Sequence, residues 1–288
     1  MKVCYKSMEE KIAFERFLFE DEKEIIIEDI VFCVDRIIML TKIRPHKLEK
    51  AVSLSSNYCK IDDFRLSILE KSNECPVIVY QLYKQGYFRF EEIEPLFYRR
   101  ETYLLCYYFW KDIPNFVDFI QNKPKPLDYN EPFSNNCFDE SFLENTNSID
   151  QLVEFGFISS SIEYCLKYDI LDDLVEFNIS DYNVKWSPFE WSYKPEYLDL
   201  LSFSGYFGSI KCFKHLFMDG FEINSMVRSM VVCSGCYDLY HLCKGEQFLS
   251  TESINKASEF CHLSLLNFML ENGADIKASD NWVSIFYF

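Results

Sequence analysis

The chain has 288 residues, 49% of them apolar and 26% charged, which is enough to bury a sizeable core. Its 46 acidic and 29 basic side chains give a net charge of -17, which sets the surface against nucleic acid and anionic lipid and favours a basic protein partner. The longest purely apolar run, Leu104 to Trp110, is about seven residues, far short of the ~18 that span a bilayer.

The opening "MKVCYKSMEEK" lacks the apolar core of a signal peptide. The 12 cysteines are scattered from Cys4 to Cys261, so they read as reduced thiols of a cytoplasmic protein, with the nucleus also open to it.

With only 8 Gly and 9 Pro, the chain keeps long periodic stretches that favour helices throughout. Two helices are expected within 8–41, where Ile26, Ile27, Ile30, Val34, Ile37 and Ile38 fall on one side. Pro45 is placed to open a third helix running to about Asn57, and Pro76 a fourth that ends at Gly86. A further helix is expected over 94–110, and Pro114 is placed to open "NFVDFIQN". Three prolines in "NKPKPLDYNEPFSNN" mark a loop or linker. The expected organisation is therefore a helical region over 1–121, a Pro-rich linker over 122–140, and helical hairpins over 141–288. An irregular insertion at 182–195 interrupts the hairpins, with Trp186 and Trp191 as its anchors.

The last ninety residues repeat. "GSIKCFKHLF" begins at Gly208, "GCYDLYHLC" at Gly235 and "CHLSLLNFML" at Cys261. Ser204-Gly205, Val231-Val232 and Ala257-Ser258 precede these units at a constant offset. Each unit reads as a helix, a tight turn and a second helix, and small residues late in the first helix let neighbours approach. The second helices carry apolar stripes that include Phe213, Leu216 and Phe217, then Leu239, Leu242 and Cys243, then Leu266 and Met269.

"CHLSLLNFMLENGADIKASD" resembles the ankyrin-repeat pattern, with Cys261 where Gly is usual and Lys277 where Asn is usual. "LSFSGYFGSIKCFKHLFMDGFEIN" resembles the same unit one motif earlier, and "SIEYCLKYDILDDLVEFNI" is a weaker match. The alternation of full and abbreviated units behind a helical N-terminal region is similar to expanded, divergent ankyrin families.

The resemblance implies an all-α solenoid of stacked hairpins that acts as a non-enzymatic scaffold or adaptor for a protein partner. No cofactor, membrane or nucleic acid is expected. Units of 26 or 27 residues fall short of the usual ~33, which implies trimmed finger loops. The finger residues expected to bind a partner are Asp219, Phe221, Glu222 and Asn224, then Asp275, Lys277 and Asp280. The apolar ending "NWVSIFYF" reads as the mark of a truncated array.

The alternative is a small zinc or redox module around Cys233 and Cys236, with His241, Cys243, Cys261 and His262 nearby in sequence. Helical placement argues against it. Cys236 and His241 lie about 140° apart around one helix, and His262 belongs to the next hairpin. No P-loop, nucleophile elbow or H-E-x-x-H motif occurs, and His262 is expected to open a second helix and bond turn backbone.

Overall fold

The computed structural model describes residues 33–35, 37–38, 48–124, 146–179, 182, 184, 187, 189, 198–243, 250–260 and 262–274. Among these residues every regular element is helical. They form two compact units. One holds the described residues up to Gly156 together with Ser187 and Phe189, and the other holds the rest from Phe157 onward. The division falls at 156/157, so the helix after the linker belongs with the N-terminal region. Most of the two helices expected over 8–41 lies outside the described residues. What is described, 33–35 and 37–38, is helical, with Cys33, Val34, Ile37 and Ile38 buried.

The first unit is built from α1 (Leu48–Tyr58), α2 (Asp62–Glu70), α3 (Pro76–Lys84), α4 (Phe90–Ile93), α5 (Tyr103–Tyr108), α6 (Phe116–Asn122) and α7 (Thr146–Phe155). The helices α1, α3, α5 and α7 pack in succession. The starts of α1, α3 and α5 are 28 and 27 residues apart, and those of α2, α4 and α6 are 28 and 26 apart. The period that is plain in the last ninety residues therefore also runs through this region.

Pro76 opens α3 as expected. The chain leaves α3 through Gly86 at φ 78°, where the Tyr87 N–H donates to Leu82 O at 2.9 Å. That is a left-handed Schellman exit, which glycine adopts without strain. The core is aromatic. Phe109 is fully buried, with the Tyr83, Tyr80 and Phe97 rings 5.0, 5.4 and 5.4 Å away.

Two expectations change here. The helix expected over 94–110 is broken. Glu94–Tyr98 and Arg100–Thr102 are 3-10 turns, Arg99 is extended, and α-helix resumes only at Tyr103. The break frees carbonyls that side chains then satisfy. The Lys123 ammonium donates to Phe97 O at 2.6 Å and also to Arg99 O, and the Thr102 hydroxyl donates to Leu96 O and Arg99 O. Desolvation lowers the Lys123 pKa. Pro114 does not open the next helix either, because the N-cap of α6 is Asn115, in the left-handed region at φ 49°.

The second unit is built from α8 (Ile162–Tyr168), α9 (Leu171–Leu174), α10 (Leu200–Phe207), α11 (Ile210–Met218), α12 (Ser225–Ser234), α13 (Tyr237–Leu242), α14 (Thr251–Glu259) and α15 (Leu263–Glu271). They form four hairpins. The first helices, α8, α10, α12 and α14, pack one against the next, and α9 packs on α11. Each of these first helices starts at a side chain that accepts a backbone N–H. These caps are Ser161 to Tyr164, Asp199 to Ser202, Asn224 to Val227, and Ser250 to Ser253. Such a cap contributes about 1 kcal/mol. The small residue Gly205 sets the closest approach. A Cβ there would stand 3.0 Å from Val231 Cγ2, so α10 and α12 meet nearly backbone to side chain.

Asp169, left-handed at φ 57°, closes α8 where Gly208 and Gly235 close α10 and α12. Its carboxylate accepts the backbone N–H groups of Cys212 at 2.9 Å and Lys211 at 3.2 Å, so it caps α11 from the neighbouring hairpin. Replacing it by Ala removes both acceptors and strains the turn. Asp169→Ala is expected to cost about 1–3 kcal/mol in urea unfolding. Asp169→Asn keeps an acceptor and a left-handed preference, and is expected to cost less than half as much. Equal losses would show that capping contributes nothing.

Candidate partner-binding surface

The joint between successive hairpins recurs at one place: the turn that closes a first helix receives the residue that opens the next hairpin's second helix. At the first joint, the Ser209 hydroxyl donates to Leu166 O while Asp169 holds the α11 amides. At the second, Gly208 lies under Cys236, and a Cβ on Gly208 would stand 3.4 Å from Cys236 Cβ. At the third, the His262 ring lies on Gly235, where a Cβ would stand 2.2 Å from Nδ1. His262 Nε2 is 2.7 Å from Cys233 O. A carbonyl only accepts, so Nε2 carries the proton. The Phe260 ring stacks with the imidazole, 6.4 Å away and 13° from parallel.

This arrangement shows what the sulfur-rich stretch at 233–243 meets. Sequence spacing sets His262 apart from the Cys233–Cys236 turn, but the structure seats its ring on that turn. The imidazole meets a backbone carbonyl and a glycine there. Among the described residues, no group of three or more His, Cys, Asp or Glu is arranged to hold a metal ion. Burial pushes the Cys243 thiol up to about 11 and the Cys212 thiol to about 12, so both stay protonated near neutrality. Cys236 is half-buried.

The finger loop that follows α11 is described in full. Gly220 (φ 99°) turns the chain, and the Phe221 N–H donates to Leu216 O at 3.2 Å. Of the expected binding residues, Asn224 is occupied as the cap of α12, accepting from the Val227 N–H at 2.9 Å. Asp219 lies 3.2 Å from His215 Nε2, one helical turn back. Phe221 is half-buried, and Glu222 is exposed. Asp275, Lys277 and Asp280 lie outside the described residues, as does the ending at 281–288. Trp186 and Trp191 also lie outside them.

Counted from the first residue of each second helix, the third residue on is buried in every hairpin: Leu174, Phe213, Tyr240 and Leu266. The fourth is outward in every hairpin: Val175, Lys214, His241 and Asn267. Two residues placed on the buried stripe by sequence are on the surface. Phe217 and Leu242 are exposed, because the stripe follows Leu216 and Cys243 instead. Met218, the most exposed large apolar side chain of this unit, carries no sequence signal beyond its place beside Phe217. His215 and His241 differ. His241 is exposed, with its ring 5.5 Å from Phe268 in a T-shaped pair, while His215 is half-buried.

Two clefts, of about 520 and 470 Å³, lie in the first unit, and among the described residues that line them none is Ser, Cys or His. No helix among the described residues is long and apolar enough to cross a membrane.

Two measurements check this geometry. Gly220 and Gly235 both have positive φ, but only Gly235 has a ring against it. Gly220→Ala is expected to cost about 1 kcal/mol, and Gly235→Ala about 1–3 kcal/mol more. That excess is expected to shrink in a His262→Ala background, because the ring is its cause, and an unchanged excess would contradict the contact. Elemental analysis of purified protein is expected to find no stoichiometric zinc, and a chelator to leave the melting temperature unchanged. Stoichiometric zinc whose removal lowers the melting temperature would establish the metal reading instead. No family model, no curated protein and no solved structure matches the chain.

Proposed function

We propose that the chain is a non-enzymatic protein-recognition scaffold built as a solenoid of ankyrin-like hairpins, with the N-terminal helices as degenerate units of the same kind. The observation that carries this reading is the recurring joint, in which a first-helix turn receives the start of the next second helix at three successive places. Second helices start 39, 27 and 26 residues apart across the same hairpins, the first interval containing residues 182–195. A hairpin of this size cannot bury its apolar face alone, and stacking gives it neighbours on both sides. What a stack offers in return is an extended surface, and here that surface is rich in acid. The partner is a protein, and a basic one by charge. The compartment proposed is the cytoplasm or the nucleus.

The test is cross-linked affinity capture with the intact chain and with a Phe221→Ala/Glu222→Ala variant, both checked for native helicity. Proteins retained by the intact chain and lost from the variant are the expected result. The same proteins retained by both would remove the finger loop from the binding surface.

A further inference from the structure

The outer helices of the second unit carry large apolar side chains that stay exposed. Met218 is 77% exposed, Val175 54%, Phe217 42% and Leu242 39%. They are not scattered. Counted from the first residue of each second helix, Val175 stands fourth on, Leu242 fifth, Phe217 seventh and Met218 eighth. Positions four, seven and eight share one helical face, with five at its margin, and the whole set spans about 6 Å of axial rise. The joints at Asp169, Gly208 and Gly235 hold the hairpins in register, so α9, α11 and α13 present these residues as one band. At 8–10 Å between neighbouring helices the band is about 20 Å across.

Charge identifies the occupant. Asp172 and Glu176 flank Val175, Asp219 and Glu222 follow Met218, and Asp238 shares α13 with Leu242, all of them exposed. Only Lys211 and Lys214 oppose them on these helices. The whole chain carries a net charge of -17, so a second copy, a nucleic acid or an anionic membrane meets repulsion here. A plain polycation would leave the apolar band in water. Apolar and basic side chains on one short element satisfy both features, and a helix that crosses a 20 Å band is about 14 residues long.

We propose that the outer face of α9, α11 and α13 docks a basic amphipathic helix, apolar side down on Met218, Phe217, Val175 and Leu242, with its Lys or Arg side chains reaching the surrounding carboxylates. This rests on the reading of the chain as a protein-recognition scaffold and names the partner's chemistry.

The test uses the full chain and fluorescein-labelled 14-residue peptides, followed by anisotropy. One peptide is an amphipathic Leu/Lys helix, and the second replaces every Leu by Ser at the same charge. The Leu/Lys peptide is expected to bind at least tenfold more tightly than the Ser/Lys peptide and to weaken with added salt. Phe217→Ser/Met218→Ser is expected to lose at least tenfold in affinity for Leu/Lys while keeping native circular dichroism. Leu242→Ser serves as a second variant should that pair unfold, with a severalfold loss. Equal binding of the two peptides would reduce the surface to bare charge, and unchanged binding by both variants would place the contact elsewhere; either result overturns the proposal. In the capture experiment above, partners that the intact chain retains and that excess Leu/Lys peptide fails to displace would also overturn it while leaving the scaffold reading in place. Failure of capture itself would count against the scaffold reading.

Discussion

The second unit depends on one contact: the left-handed turn that ends a first helix must stay open for the residue that starts the next second helix. Three chemistries meet that condition. Asp169 supplies a carboxylate to two backbone amides, Gly208 gives room to Cys236, and Gly235 gives room to an imidazole. Everything outward of these joints follows from them. They set the rotation of α11, α13 and α15, so that Phe213, Tyr240 and Leu266 point in and the next residue of each helix points out. The outward face of these helices is therefore fixed by backbone geometry at turns that are themselves largely covered.

The first unit is held together differently. Aromatic rings do much of the work there, with Phe109 held among Tyr80, Tyr83 and Phe97. Where its helical path breaks at Arg99, the Lys123 ammonium is spent on backbone carbonyls. A buried lysine in that position serves the fold, because it adds a charged donor to carbonyls that otherwise have only the Thr102 hydroxyl and the Cys106 thiol. Its lowered pKa has the same cause, desolvation.

Local signals were readable wherever their cause was local. Pro76 before an apolar run and Gly86 after it bracketed α3, and the offset of Ser204-Gly205 from Gly208 marked where hairpins approach. Asn224, three residues before Val227, carried an N-cap signature that a finger-loop reading passed over. Asp169 was different. Its partners are more than forty residues onward, so no window of sequence around it discloses its role. The break at Arg99 escaped for the same reason, since Lys123 makes it tolerable from 24 residues away. Exposure of Phe217 and Leu242 was beyond periodicity, because the helical stripe drifts by a residue and only packing decides which neighbour it takes.

The joints also bear on how such a chain can change over time. Repeat arrays are often treated as strings of equivalent beads, yet here the seams between hairpins differ in chemistry. Deleting the hairpin of α10 and α11 would set the Asp169 carboxylate against Cys236 in place of the α11 amides. Deleting the one after it would bring the His262 ring onto Gly208, with the Tyr206 carbonyl in the register position where Cys233 O now sits. Removing a hairpin thus replaces two seams by one new pairing, and which hairpin is lost decides whether the chemistry of that pairing changes or is kept.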